Sequence, residues 1–367
     1  PRDVGFTGQN FPGHGGGGFR YPEYAEYLDR LGTTHKVREE RKVGLGFVPH
    51  FGILEEPEEA TVPYFLAEHS MAQIDRCADA GQPFFLWHNF WGPHEPYYVP
   101  RAYYDMYRDV SIPEWPNYRW PAAEHEGPHR LAINPSEALG ELTWSDWEDA
   151  IRHYYAFMTL IDAQIGRLLE HLETRGLLDN TLILFTADHG ETLGSHGGLM
   201  DKGLFHFEEI QRIPMFLSGM KTSHSRVGDF VSLADVYPTL LDAAGAAYDA
   251  SSLPGRSLFD LLNGCDDWRE DVVIESEGVE NKSIGLRTLR HGRYKYGFSL
   301  GMVEQLYDLE TDPDEMINLV DDEHYADVLD DLRTRLVSWM HAHGDRFLHG
   351  GVLPVLLRHG WRERTKE

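Results

Sequence analysis

The sequence predicts an α/β fold with a central, mostly parallel sheet and helices on its faces. One observation is the apolar, β-branched run Thr181–Phe185, which is typical of a strand buried on both faces and which leads into a polar, glycine-rich segment. A second is the order helix, glycine, strand, which is half of a βαβ unit. A third is a series of closely spaced strand-like runs after residue 265, which indicates a smaller antiparallel sheet.

Composition limits the partners that we expect. The chain has 367 residues, a hydrophobic content of 41% and a formal net charge of −27. Nucleic acids and anionic membranes bind basic surfaces, so we expect neither as a partner. The acidic surface either keeps the protein soluble or steers a cationic substrate. Cys77 and Cys265 are too few for a disulfide framework and lack the spacing of a metal site.

The first half of the chain contains three helical patterns and one aromatic strand. Apolar residues recur at helical spacing over Pro22–Leu31, Thr61–Ala80 and Asp146–Arg175, and a glycine follows each of the last two patterns at the expected C′ position. The run Pro83–Phe90 is short and aromatic and predicts a strand. The segment from Tyr97 to Ser145 is rich in Pro, Trp and Tyr, and forms either a substrate-contacting rim or an aromatic-packed insertion.

The second half predicts a second core strand and then a separate subdomain. Ile213–Leu217 is another apolar run, so the polar segment before it is a loop between two strands. Ser232–Gly245 predicts a helix capped by Ser232, with a kink at Pro238 or a start nearer Tyr237. The composition changes near residue 265, which predicts a catalytic-type domain over 1–265 and an α+β subdomain over 266–367, closed by a helix at Tyr325–His343.

Asp188 and His189 are the candidate metal ligands. They follow the Thr181 strand directly, and open α/β sheets place ligand sites at the carboxyl ends of their strands. A carboxylate oxygen combined with an imidazole nitrogen is compatible with several divalent metals. Two ligands do not complete a site, so others must come from elsewhere in the protein.

Three further residues are candidates for chemistry, each with an alternative. Lys202 offers a compact positive charge to an anionic group, or is a solvated surface residue. His94 lies between two prolines at the end of a predicted strand, and is either a proton donor near neutral pH or a packed histidine. His196 is either a second-shell residue that orients the metal site or a hydrogen-bonding residue that stabilises the loop.

These residues lie in motifs that resemble the sulfatase family of the alkaline-phosphatase superfamily. The match is densest in DNTLILFTADHGETLGSHGGLMDKGLFHFEEIQRIPMFLSG, which starts at Asp179. Supporting matches occur in the expected order at Phe84–Tyr97, 152–173, 233–245, 253–258 and 286–319. The resemblance implies an alkaline-phosphatase-like fold and hydrolysis of a sulfate monoester, with a small molecule or a glycan as the substrate.

The resemblance also implies a role for each candidate. Asp188 and His189 would bind one divalent metal, with calcium expected and manganese, magnesium and zinc as alternatives, because many relatives have asparagine where His189 stands. Lys202 would contact the sulfate oxygens, and His94 would contact the sulfate and protonate the leaving oxygen. His196 would lie in the second shell.

One departure from the family pattern concerns the nucleophile. Relatives carry a Cys/Ser-x-Pro-x-Arg motif, whose first residue becomes formylglycine, in a segment that we expect to precede Pro1; we therefore expect the isolated chain to be inactive. Ser252 begins a matching set of letters, but it aligns with a structural segment of the family. A phosphate or phosphonate monoester hydrolase and a sulfatase-like binding protein without catalysis are the alternative functions.

Overall fold

The computed structural model describes Phe6 and residues 22–34, 36–42, 50–119, 142–202, 205–219, 224–277, 285–299 and 303–348. The chain divides into two compact units. Unit 1 comprises Pro1–Glu114 and Pro135–Thr181, and unit 2 comprises Trp115–Asn134 and Leu182–Glu367. Most of the glycine-rich start and residues 120–141 of the aromatic-rich segment lie outside the described residues. The boundary at residues 265 and 266 stays a prediction.

Unit 1 combines four helices with a small mixed sheet in its described residues. Strand β2 pairs antiparallel with β1 and parallel with β3. Short 3-10 turns lie at Glu58–Ala60 and Leu178–Asn180. The elements in chain order are α1 (Pro22–Leu31), β1 (Val37–Lys42), β2 (His50–Leu54), α2 (Val62–Asp79), β3 (Tyr97–Pro100), α3 (Arg101–Asp105) and α4 (Trp144–Thr174).

The long helices of unit 1 confirm the helical patterns of the sequence. α2 begins after Thr61, whose hydroxyl accepts the amide N–H of Tyr64, and α4 begins with a capping box between Thr143 and Asp146. Both helices end before a glycine with φ near +65°, Gly81 at 62° and Gly176 at 67°. A left-handed residue after the last turn is easiest for glycine, which has no Cβ.

The predicted strand Pro83–Phe90 is wrong for the described structure. Residues 82–91 have no regular secondary structure, and no described strand of unit 1 pairs with them. Side chains along this run alternate between half-buried and exposed, as in an extended chain, and Phe85 and Trp87 are 54% and 64% exposed. The backbone is therefore extended, but among the described residues it has no ladder partner, which a strand requires.

Unit 2 contains two sheets and several short helices in its described residues. Single 3-10 turns lie at Leu233–Asp235, Ala250–Ser252, Glu323–Tyr325 and Arg346–Leu348, and a helical turn interrupted by left-handed residues lies at Ser195–Gly198. The other elements are β4 (Ile183–Thr186), α5 (Glu208–Gln211), β5 (Met215–Ser218), α6 (Val236–Ala243), α7 (Leu258–Leu262), β6 (Asp271–Ser276), β7 (Leu286–His291), β8 (Tyr294–Ser299), β9 (Gln305–Asp308) and α8 (Ala326–Ala342).

The strands β4 and β5 are present as predicted, but their surroundings differ from the prediction. They pair antiparallel with each other, and Phe185 lies opposite Phe216. These two phenylalanines are 40% and 64% exposed, so the strand is not buried on both faces. The apolar run alone did not distinguish a strand in a parallel sheet from one in an antiparallel pair, because both contain β-branched and aromatic residues.

The C-terminal part confirms the predicted antiparallel sheet with its closing helix. The strands lie in the order β6–β7–β8–β9, each antiparallel to its neighbour. α8 packs its apolar face on this sheet, so that one core is shared by both. The buried residues of this shared core are Leu289, Tyr296, Phe298, Leu306, Leu329, Leu332, Leu336, Val337 and Met340.

None of the helices in the described residues has both the length and the apolar composition needed to cross a lipid bilayer.

A buried aspartate organises the corner between α6 and α7. Asp235 is fully buried and accepts two hydrogen bonds of 2.6 Å from the guanidinium of Arg269 and one of 2.8 Å from the amide of Arg256. A Cβ on Gly255 would lie 1.9 Å from the carbonyl oxygen of Ala234. The hydroxyl of Ser252 donates to the carbonyl of Asp249 at 2.7 Å, which is consistent with a structural role for this segment.

We expect Gly255→Ala to destabilise this corner, because the added methyl group would overlap a backbone carbonyl that cannot rotate away. The expected loss is about 1–3 kcal/mol of unfolding free energy, the usual range for overpacking. The matched control is Gly228→Ala, where a Cβ meets no atom within 4 Å. Urea denaturation should show the control at or slightly above wild-type stability, and equal stability of the two variants would contradict the close approach.

Candidate active site

Asp188 and His189 follow β4 at its carboxyl end. The amide of His189 donates to Asp188 Oδ1 at 2.9 Å, and His189 Nε2 lies 3.5 Å from Asp188 Oδ2. His189 Nδ1 is 2.8 Å from the carbonyl oxygen of Gly190. A carbonyl only accepts, so Nδ1 is the donor in this contact, and Nε2 is the ring nitrogen that lies beside the carboxylate. An imidazole nitrogen next to an 86% exposed carboxylate is a donor set that fits a divalent metal.

The glycine after this pair allows two backbone segments to approach closely. Gly190 donates its amide to the carbonyl of Ile210 at 2.8 Å, and Glu191 donates its amide to that of Glu209 at 3.1 Å. A Cβ at position 190 would lie 1.9 Å from the carbonyl oxygen of Glu209. Glycine is therefore required here by packing, and the loop after β4 is fixed against α5.

Glu191 uses one carboxylate oxygen to join two parts of the loop. Its Oε1 accepts the amides of Thr192 at 3.0 Å, of Leu193 at 3.4 Å and of Asp201. Burial raises the pKa of Glu191 to about 7, and the negative charge of Asp201 adds to this shift, although the amide donors oppose it. No role was predicted for Glu191 from the sequence, where its position directly after Asp188-His189-Gly190 is the only signal that points to it.

Lys202 lies at the end of the loop that Glu191 closes. Its side chain is 28% exposed, and Nζ lies 3.3 Å from Oδ1 of the neighbouring Asp201. An ion pair between partly exposed groups is weak, on the order of 0–1 kcal/mol. The ammonium group is therefore held loosely enough to exchange Asp201 for another anion.

His196 is buried in the middle of the loop. Its ring stacks on Phe207 with the centroids 3.4 Å apart, and Nε2 lies 3.3 Å from Glu209 Oε2 and 3.1 Å from Asn117 Nδ2. Burial opposes ionisation of Glu209, but hydrogen bonds from His196 and Asn117 outweigh it and lower the pKa of Glu209 to about 2. These contacts favour the loop-stabilising alternative for His196; its second-shell role stays a prediction.

A second group of potential metal ligands surrounds His196. Ligand atoms of His196, Glu209 and Glu315 all lie within 4.8 Å of one another. However, the Asn117 amide donates into this group, at 2.8 Å to Glu209 Oε1, and Lys295 pairs with Glu315. Carboxylate oxygens of this group thus already accept from an amide and an ammonium donor, so the group is better satisfied as an ion-pair network than as a metal centre.

The same network extends into the C-terminal sheet. Lys295 on β8 is fully buried, and its Nζ lies 3.3 Å from Glu208 Oε1, which also pairs with Arg290 of β7 at 2.8 Å. Glu315 Oε2 accepts the amide of Glu208 at 2.6 Å. Burial raises the pKa of Glu315 to about 7 because it outweighs the attraction to Lys295.

His94 belongs to unit 1 and lies in the loop between the aromatic run and β3. Its Nδ1 is 2.9 Å from the carbonyl oxygen of Glu95, and its ring centroid is 4.9 Å from that of Trp91. A carbonyl only accepts, so Nδ1 is the donor in this contact. A Cβ on Gly92 would lie 2.4 Å from the ring of Phe157, so α4 holds the start of this loop.

Two family models match the chain. The one described as Sulfatase covers residues 18–246, and the one described as N-sulphoglucosamine sulphohydrolase, C-terminal, covers 194–342. The chain is 34% identical over 284 residues to an arylsulfatase of Clostridium perfringens, covering 76% of this chain and 58% of that protein. It is 32% identical over 263 residues to a choline-sulfatase of Rhizobium meliloti, covering 70% and 50%. The chain thus spans between half and three fifths of the length of these relatives.

Solved structures give the same fold. The phosphonate monoester hydrolase of Agrobacterium radiobacter superposes with a TM-score of 0.72 at 25% identity, covering 88% of this chain and 69% of that one. BT4656, solved with its substrate D-glucosamine-2-N,6-O-disulfate, superposes with a TM-score of 0.65 at 22% identity, covering 80% and 72%. These likenesses confirm the predicted alkaline-phosphatase-like α/β fold.

We expect stability to depend on the protonation of Glu315. Its pKa of about 7 in the folded protein lies above the usual 4.5, so the folded state binds the proton more tightly than the unfolded state. The resulting stabilisation is fully present below pH 4.5 and is lost as the pH rises through 7. Urea unfolding of wild type and Glu315→Gln should therefore show the wild-type advantage falling by about 1–3 kcal/mol between these pH values. An advantage that grows with pH would contradict the raised pKa.

Proposed function

The chain belongs to the sulfatase family, and from this premise we propose that its protein hydrolyses a sulfate monoester to an alcohol and inorganic sulfate. The observation that carries the proposal is the pair Asp188 and His189 at the end of β4, with the Nδ1 proton of His189 held by Gly190 and Nε2 beside the carboxylate. The family match over residues 18–246 includes this pair and His94. We assign the nucleophile to no residue of this chain.

Asp188 and His189 would hold one divalent metal ion, with calcium expected and manganese, magnesium and zinc as alternatives. When bound, such an ion supplies positive charge that stabilises the charge developing on the sulfuryl oxygens. The exposed carboxylate of Asp188 provides an oxygen ligand and His189 a nitrogen ligand of fixed tautomer. The nitrogen ligand keeps the transition metals as candidates beside calcium.

Lys202 and His94 each have a proposed role. Lys202 would replace its contact with Asp201 by one with the anionic sulfuryl group, since that contact is exposed and weak. His94, with Nδ1 held by the Glu95 carbonyl, would give a proton from Nε2 to the leaving oxygen. Protonation prevents an alkoxide from having to leave as a strong base.

The substrate is proposed as a class only. The relatives named above are an arylsulfatase and a choline-sulfatase, and one structural neighbour binds a disulfated glucosamine. We therefore propose a small-molecule or glycan sulfate ester. The described start of the aromatic-rich segment, residues 97–114, is the proposed surface for an aryl or sugar ring, because both ring types stack on aromatic side chains.

Hydrolysis of phosphate or phosphonate monoesters is the second candidate function. The phosphonate monoester hydrolase superposes with a TM-score of 0.72, and the same arrangement of cations accepts either tetrahedral anion. Assays of 4-nitrophenyl sulfate and 4-nitrophenyl phenylphosphonate on the complete gene product separate the two candidates. Metal binding without turnover of either ester would instead favour the binding-protein alternative.

We expect Asp188→Ala in the complete gene product to abolish binding of the metal and most of the activity. A bound metal contributes several kcal/mol of transition-state stabilisation, so kcat should fall about 100-fold or more. Mass spectrometry of the purified protein measures the metal, and 4-nitrophenyl sulfate the rate. The control is Asp330→Ala, an exposed aspartate on α8 with 72% of its side chain accessible. Unchanged metal content in Asp188→Ala would refute the ligand assignment.

We expect His94→Ala to slow esters of poor leaving groups most. General acid catalysis contributes about 10²–10⁴-fold when the leaving oxygen is basic. Phenyl sulfate should therefore lose far more kcat/KM than 4-nitrophenyl sulfate, whose leaving group needs little protonation. His324→Ala changes a 91% exposed histidine and serves as the control. An equal loss for both esters would show that His94 does not supply the proton.

A further inference from the structure

The carboxylate of Glu191 has no part in the mechanism proposed above, yet in the sequence Glu191 lies between the proposed metal ligands and Lys202. One atom, Oε1, accepts the amides of Thr192 and Leu193 on its own side of the loop and that of Asp201 ten residues along the chain. The bond to Asp201 closes the segment 191–201 into a ring just before Lys202. This closure determines where Lys202 leaves the loop.

We propose that Glu191 is a positioning residue, which fixes the ammonium group of Lys202 for the anionic group of the substrate by holding the backbone of Asp201. The proposal rests on the proposed function, since that function assigns the anion to Lys202. Glu191 acts through the backbone and touches no reacting atom. The property that matters is an acceptor oxygen at the end of an unbranched side chain.

A second hydrogen bond links the same two parts of the loop, the segment 191–193 and Asp201. The hydroxyl of Thr192, a buried residue, donates to the carbonyl of Asp201 at 3.0 Å. The amide and the carbonyl of Asp201 are thus both held by the side chains of two consecutive residues, Glu191 and Thr192. Asp201 itself has a φ of 67°, a left-handed conformation that a side chain rarely adopts without such support. Loss of either bond would let this residue relax and move Lys202.

Two substitutions separate the acceptor from the rest of the side chain. Glu191→Gln keeps an oxygen that accepts amide N–H groups, and Glu191→Met keeps an unbranched chain of similar length without a comparable acceptor. In the complete gene product, inorganic sulfate serves as an inhibitor of 4-nitrophenyl sulfate hydrolysis. We expect Glu191→Met to weaken sulfate inhibition about tenfold and Glu191→Gln to leave it within about twofold of wild type.

A double-mutant cycle with Lys202→Met distinguishes positioning from general stability. If Glu191 acts through Lys202, Glu191→Met should weaken sulfate binding no further, within about twofold, once Lys202 is Met. A purely structural role predicts that the two losses multiply in the double variant. Thr192→Val removes the second bond and should shift sulfate inhibition in the same direction, which keeps the test informative if Glu191→Met does not fold.

Hydrogen exchange supplies a readout that does not depend on turnover. The amide of Asp201 should exchange faster in Glu191→Met than in wild type and Glu191→Gln. Equal exchange in all three, losses that multiply in the cycle, or a Gln variant as impaired as the Met variant would each overturn the proposal. If the wild-type protein neither binds sulfate nor hydrolyses the two 4-nitrophenyl esters, the proposed function is wrong. The proposed role of Lys202 is then wrong as well, whatever the hydrogen-exchange result.

Discussion

The close approach of Gly190 to the backbone of residues 209–210 is the contact on which the candidate site depends. Two hydrogen bonds, of 2.8 and 3.1 Å, join the loop after β4 to α5, and no side chain other than hydrogen fits at position 190. This pairing directs the Glu191 side chain to the amides of its own loop. It also turns the side chains of Glu208 and Glu209 toward the buried network. A loop that would otherwise be solvated thereby becomes part of the core of unit 2.

The buried charges of unit 2 are tolerable because they are paired and hydrogen-bonded. Lys295, Glu208 and Glu315 lie in one connected set, with Arg290 and the amide of Glu208 as further partners. Removing Lys295 would leave the carboxylates of Glu208 and Glu315 without their shared cation, which is strongly destabilising, whereas buried ion pairs add little net stability compared with apolar packing. The network therefore contributes mainly to the specificity of the fold, because its ion pairs form only when α5 packs on β7 and β8 in this one arrangement.

Some features of this protein were predictable from local sequence and others were not. Apolar spacing and the terminating glycines predicted the bounds of α2 and the end of α4 to within one residue, whereas α4 begins at Trp144, two residues before the predicted start at Asp146. The pairing of β4 with β5 did not follow, since an apolar run carries no information about its partner. The contacts of His196 with Asn117 and of Glu208 with Lys295 join residues 79 and 87 positions apart, and no spacing rule connects them. Local motifs in the sequence singled out the proposed metal ligands and Lys202, but not the side chains that hold the loop between them.

Three residues of the loop between His189 and Lys202 have strained backbone conformations that other side chains hold in place. Leu193, His196 and Asp201 have positive φ values of 45°, 47° and 67°, and each such residue costs on the order of 1–3 kcal/mol. Each is held by contacts from outside its own turn. Trp115 donates its indole N–H to the carbonyl of Leu193 at 2.9 Å, His196 stacks on Phe207, and Glu191 and Thr192 hold Asp201.

A loop that only had to connect two strands could relax at all three positions with glycine, aspartate or asparagine. Here a leucine and a histidine are kept in left-handed conformations by buried partners, and the strained segment lies between the proposed metal-binding pair and Lys202. Backbone strain that is held by surrounding contacts, and that lies beside candidate reactive side chains, is characteristic of a functional site. The position of Lys202 relative to His189 is therefore a property of the whole loop and its supports, and not of the two residues alone.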